Sequence, residues 1–71
     1  MSISYKRLWK LLIDRNMTKT DLRKQTGIGS ATLAKLSRNK KVSLDVLEKI
    51  CAALGCDIGD ICEYVADSSE E

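Results

Sequence analysis

The chain has 71 residues, 44% of them apolar and 31% charged, with no proline, no histidine and three aromatic residues, Tyr5, Trp9 and Tyr64. That composition fits one small helical domain and excludes a disordered or fibrous chain. The net charge of +2 conceals an asymmetry: residues 1–43 carry 11 Lys and Arg against Asp14 and Asp21, while residues 44–71 carry Lys49 against eight acids. A polyanion is steered toward the first half, and the acidic second half is held away from it. No apolar run approaches a membrane span and no signal-peptide core follows Met1, so a cytoplasmic protein is expected.

In chain order, Ser2 or Ser4 is placed to cap a first helix from about Tyr5 to Arg15, whose inward stripe is Tyr5, Leu8, Leu12 and Leu11. Lys6, Arg7, Lys10 and Asp14 take the wet side. Trp9 lies beside the stripe, where it closes the core against the C-terminal segment. Asn16 ends the helix and Met17 enters the core.

Thr18 has Asp21 three residues on, the spacing of a reciprocal cap, and opens a helix from about Lys19 to Thr26. Gly27 supplies the positive φ on which a helix stops. Ile28 plugs the core beneath the turn, and Gly29 or Ser30 caps a further helix running to about Ser37. On that helix Leu33 and Leu36 point one way and Ala31, Lys35 and Arg38 the other, with Thr32 and Ala34 on the flanks. One face is anchored and the other is free. The loop Arg38-Asn39-Lys40-Lys41 follows, with three cations in four residues.

Ser43 caps a fourth helix over 44–54, with Leu44, Leu47, Ile50, Cys51 and Leu54 at helical spacing and Gly55 as its stop. Asp57 and Asp60 are spaced to cap a fifth helix from Ile58 to about Val65, with Ile58, Ile61, Cys62 and Val65 facing inward. Strand-like alternation of useful length is absent. The reading is an all-α, compact five-helix bundle: one domain over 1–66, with its central helical pair over about 18–37, and an acidic frayed tail over 67–71.

Cys51, Cys56 and Cys62 come without histidine and without knuckle spacing, so no metal site is expected unless two chains share one. In a reducing compartment Cys51 and Cys62 behave as small apolar side chains, and Cys56 is the exposed thiol. No cofactor motif is present. The chain also lacks a nucleophile and base pairing and the volume for a substrate pocket, so an enzyme is not expected.

Leu22, Gly27, Ile28, Leu33 and Leu36, together with the downstream segment VSLDVLEKICAALGCDIGDICEY, resemble the Cro and phage-repressor (Xre-type) family of helix-turn-helix DNA-binding domains. The resemblance covers about residues 5–65 and implies the lambda-repressor-like fold and a small transcriptional regulator that binds double-stranded operator DNA as a homodimer. Transferred by position, it implies base-edge contacts from Ser30, Ala31, Thr32 and Lys35. It implies phosphate contacts from Thr18, Lys19 and Thr20 at a helix N-terminus, and from Arg38, Asn39, Lys40 and Lys41 in the loop.

Two departures stand out. Arg23 occupies a position where the family often has alanine, and the family's arginine–glutamate pair between the first helix and the reading helix is missing. The base-reading set has no Arg, Gln or Asn for two-point contacts, which shifts specificity toward DNA shape and dimer spacing. The fold also serves antitoxins and protein-interaction modules. A protein partner on the acidic C-terminal half, with Tyr64 and Val65, is therefore the alternative reading.

Overall fold

The computed structural model describes residues 2–66. The acidic end over 67–71 lies outside the described residues. Four helices carry the fold: α1 (Lys6–Asp14), α2 (Lys19–Thr26), α3 (Ser30–Ser37) and α4 (Leu44–Leu54). A two-stranded antiparallel ribbon joins β1 (Ser2–Ser4) to β2 (Glu63–Val65), with Ile3 opposite Tyr64.

The expected five-helix, all-α bundle is thus corrected to a four-helix fold with a small sheet. The segment taken as a fifth helix makes a single 3₁₀ turn, Ile58–Asp60, capped by the Asp60 carboxylate, which accepts the Asp57 amide at 3.0 Å. Beyond it Tyr64 and Val65, residue types at home in strands, pair with the N-terminus instead. Ser2 and Ser4 accordingly lie in β1, and Tyr5 takes the N-cap position of α1, although the Ser4 hydroxyl still accepts the Lys6 amide at 3.3 Å.

The core consists of Tyr5, Leu8, Leu12, Leu22, Ile28, Leu36, Leu47, Ile50, Leu54, Ile61 and Cys62. Each large aliphatic side chain removed from water there contributes about 1.5–3 kcal/mol. Leu11, Met17, Cys51 and Trp9 pack around its edge, and Leu33 is half-buried. Three residues read as inward-facing are exposed: Leu44 at the first turn of α4, Ile58 in the 3₁₀ turn and Val65 in β2. The first is at a helix end where the periodic stripe has already left the core; the other two follow from the missing fifth helix.

Each helix ends in a left-handed residue, a conformation that gives returning amides access to the last carbonyls. These residues are Asn16, Gly27, Asn39 and Gly55. At Gly27, φ is +76° and a Cβ would meet nothing within 4 Å, so the requirement for glycine there is conformational. Arg7 ties α1 to the C-terminal part, donating to the Gly59 carbonyl at 2.9 Å and pairing with Glu63 at 3.3 Å. Arg15 donates to the Leu54 carbonyl at the end of α4. Among the described residues no helix is long and apolar enough to cross a membrane.

Candidate nucleic-acid interface

The geometry begins at the α2 N-terminus. The Thr18 hydroxyl accepts the Asp21 amide at 3.1 Å, and the Asp21 carboxylate accepts the Thr18 amide at 3.0 Å. Those bonds, the backbone one first, hold Asp21 below the ordinary carboxylate range. An anion of the chain's own therefore occupies part of this positive helix end. Among the described residues the amides of Lys19 and Thr20 meet no acceptor, and they remain open for an incoming phosphate oxygen.

Lys19 is held rather than free. Its ammonium lies 4.3 Å from the centre of the Trp9 ring and donates to the Ser37 hydroxyl at 3.1 Å. Trp9, which also packs on the core as expected, is thereby set against the start of α2. A cation over an indole face is the favourable arrangement for the ring quadrupole. One side chain from each of α1, α2 and α3 meets at this point.

The turn into α3 follows from local chemistry. The Thr26 hydroxyl donates to the Leu22 carbonyl at 2.7 Å and accepts the Ile28 amide at 3.4 Å, which directs Ile28 into the core. Gly29 is the N-cap of α3, and a glycine brings no capping side chain. The first amides of α3 are consequently open. Ser30, Ala31 and Lys35 are exposed and Thr32 is half-buried, while Leu36 is fully buried. The short helix presents one side outward along its length.

Arg38, Asn39, Lys40 and Lys41 are all exposed, and the loop they form is pinned from below. Asn39 is left-handed, with φ of 56°. Its side-chain oxygen accepts the Tyr5 amide at 3.1 Å, and the Tyr5 hydroxyl donates to the Lys40 carbonyl at 2.8 Å. Asn39 thus does structural work with its carbonyl and keeps only its NH₂ for a ligand. Sequence reasoning missed Tyr5, Trp9 and Ser37 as supports, since their partners lie 10 to 35 positions away and helical spacing carries no sign of them. Among the described residues no three Cys, Asp or Glu side chains converge as a metal ion requires.

A helix anchored on one side, open at its N-terminus and flanked by cations on two other segments defines a helix-turn-helix of the DNA-binding kind. The chain belongs to the Cro/C1-type helix-turn-helix DNA-binding domain family, whose model matches residues 7–67. It is 42% identical over 59 residues to the uncharacterized HTH-type transcriptional regulator YozG of Bacillus subtilis (strain 168), covering 80% of this chain and 70% of that protein. Among solved structures it is similar to the transcriptional regulator VanUg, with a TM-score of 0.90 and 52% identity over 93% of this chain and 88% of that one.

Proposed function

We propose that the chain is a non-enzymatic, sequence-specific transcriptional regulator that binds operator DNA as a homodimer and reads each half-site with α3. The observation that carries this reading is the open, uncapped N-terminus of α3 with Ser30, Ala31, Thr32 and Lys35 along its outer side. Ser and Thr hydroxyls serve several base edges, the Ala31 methyl meets a thymine methyl, and Lys35 donates to guanine O6 and N7. Thr18, Lys19 and Thr20 grip one phosphate and Arg38, Asn39, Lys40 and Lys41 another, fixing α3 in register.

Two reading helices in successive major grooves then address half-sites about 34 Å apart. The dimer surface in this reading lies on the C-terminal side, where Ile58, Tyr64 and Val65 are exposed; Trp9, engaged with Lys19, takes no part in it. The same exposed residues among Asp57, Asp60 and Glu63 support a second reading, a docking surface for another protein.

Selection from a random-sequence duplex pool at two salt concentrations tests the proposal. An enriched site with two-fold symmetry is the expected result. Salt-sensitive binding without enrichment would reduce the chain to a non-specific binder, and absence of binding at both salts would favour the protein-docking reading.

A further inference from the structure

Three of the four helices end in the same device, in which the amide after a left-handed residue returns to the carbonyl five positions back. The bonds are Met17 to Leu12 at 2.9 Å, Lys40 to Lys35 at 2.9 Å and Cys56 to Cys51 at 3.1 Å. In this Schellman arrangement the side chains of the two bonded residues are also brought together. At α1 the pair is Leu12 and Met17, a buried residue and one packed on the core. At α4 the same two positions hold thiols.

Several observations separate this pair from ordinary buried cysteine. The 3.1 Å bond between Cys56 N and Cys51 O limits their Cα atoms to about 7 Å apart, close to the range that a disulfide spans. Cys51 and Cys56 are both half-buried, whereas Cys62 is buried and its thiol faces the Ile58 carbonyl at 3.5 Å. Both line one shallow depression of about 450 Å³ with Ala52, Gly55, Asp57 and Asp60, through which a small reagent reaches them. Burial first, and then the neighbouring Cys56, raise the Cys51 thiol above its ordinary value, so the two groups sense each other's charge.

We infer that Cys51 and Cys56 form a reversible thiol–disulfide modification site at the C-terminal end of α4, with a low-molecular-weight disulfide as its oxidant. The Cys56 thiolate attacks one sulfur of the reagent, forming a mixed disulfide and releasing one thiolate. Cys51 then loses its proton to solvent and its Sγ attacks the Cys56 Sγ, closing the ring and releasing the second thiolate. Two protein thiols are oxidised by two electrons in total, and one reagent disulfide is reduced to two thiols.

The test treats the full chain with glutathione disulfide, blocks free thiols after denaturation and cleaves before aspartate without reductant. The expected product is lighter by about 2 Da, two hydrogens lost, and keeps one alkylatable thiol of its three. Cleavage before Asp57 releases the fragment carrying Cys51 and Cys56 from the one carrying Cys62, with the cross-link retained in the former. Cys62→Ser preserves the product; Cys56→Ser and Cys51→Ser each abolish it, the latter leaving a mixed disulfide on Cys56. A fragment cross-linked to Cys62, a disulfide between two chains, or a mixed disulfide that never closes in the unmutated chain would overturn the inference.

Discussion

The Lys19 ammonium rests 4.3 Å from the centre of the Trp9 ring, with the Ser37 hydroxyl as its hydrogen-bond acceptor. The contact aligns a cation beside the open amides of α2 before any ligand arrives, which lowers the ordering cost of a phosphate contact. Removing the charge by Lys19→Ala should reduce the slope of log affinity against log salt by about 0.9, one phosphate's worth. It should also destabilise the fold by about 0.5–1 kcal/mol. Because Trp9 is the chain's one tryptophan, its emission reports the loss directly, and duplex DNA bound beside it should shift the same signal. An unchanged salt slope would remove Lys19 from the interface.

Tyr5 bridges the start of α1 and the basic loop. Tyr5→Phe deletes the bond to the Lys40 carbonyl, and a loss of about 1 kcal/mol is expected in chemical denaturation. DNA affinity should fall with no change in the preferred sequence, because in the proposed function the loop holds phosphates. Burial, with Cys62 nearby, raises the Tyr5 hydroxyl above its ordinary 10.0, so the folded state holds this proton more tightly than the unfolded chain does. The resulting stability is fully present below pH 10 and is lost as pH rises through the folded value. Tyr5→Phe should erase that alkaline component.

Asp21 acts at the opposite end of the pH scale. Its folded pKa is lowered from the ordinary 3.8 by the Thr18 bonds, so the unfolded chain takes up its proton first on acidification. Stability from the cap is present above the ordinary value and declines as pH falls through the folded one. Thermal melts of Asp21→Asn between pH 6 and 2 should therefore show a shallower acid dependence than the parent, a difference that disappears at the lowest pH.

In the proposed reading Lys35 contacts bases and Lys40 a phosphate, although one backbone hydrogen bond joins the two residues. Lys35→Ala should relax base preference at one position of the half-site, a discrimination worth about 1–3 kcal/mol. Lys40→Ala should weaken every duplex alike and flatten the salt dependence. Competition binding with single-base variants of the selected site distinguishes the two, and equal effects of both substitutions would refute the assignment.

Local signals in the sequence were sufficient for the central part of the fold. Thr18 with Asp21, Gly27, Ser43 and Gly55 act within a helical turn of their own position, and each end they mark is where the structure has it. The ribbon was not legible, since three residues per strand are too few to show alternation and the pairing joins positions some sixty residues apart. In the candidate site, exposure of Ser30, Ala31 and Lys35 followed from the Leu33–Leu36 side of α3. The supports under it did not: Trp9 to Lys19 and Tyr5 to Asn39 are contacts between elements, decided by how helices cross.

The β1–β2 ribbon also orders events in time. Ser2 is made well before its partner Val65, so a growing chain possesses α1 through α4 before β1 has anything to pair with. Closing so long a loop carries an entropic penalty that the contiguous α2–turn–α3 unit avoids. The α2–turn–α3 unit should therefore form before the ribbon closes. The amides of Ser2–Ser4 and Glu63–Val65 should exchange with solvent before those of the core helices.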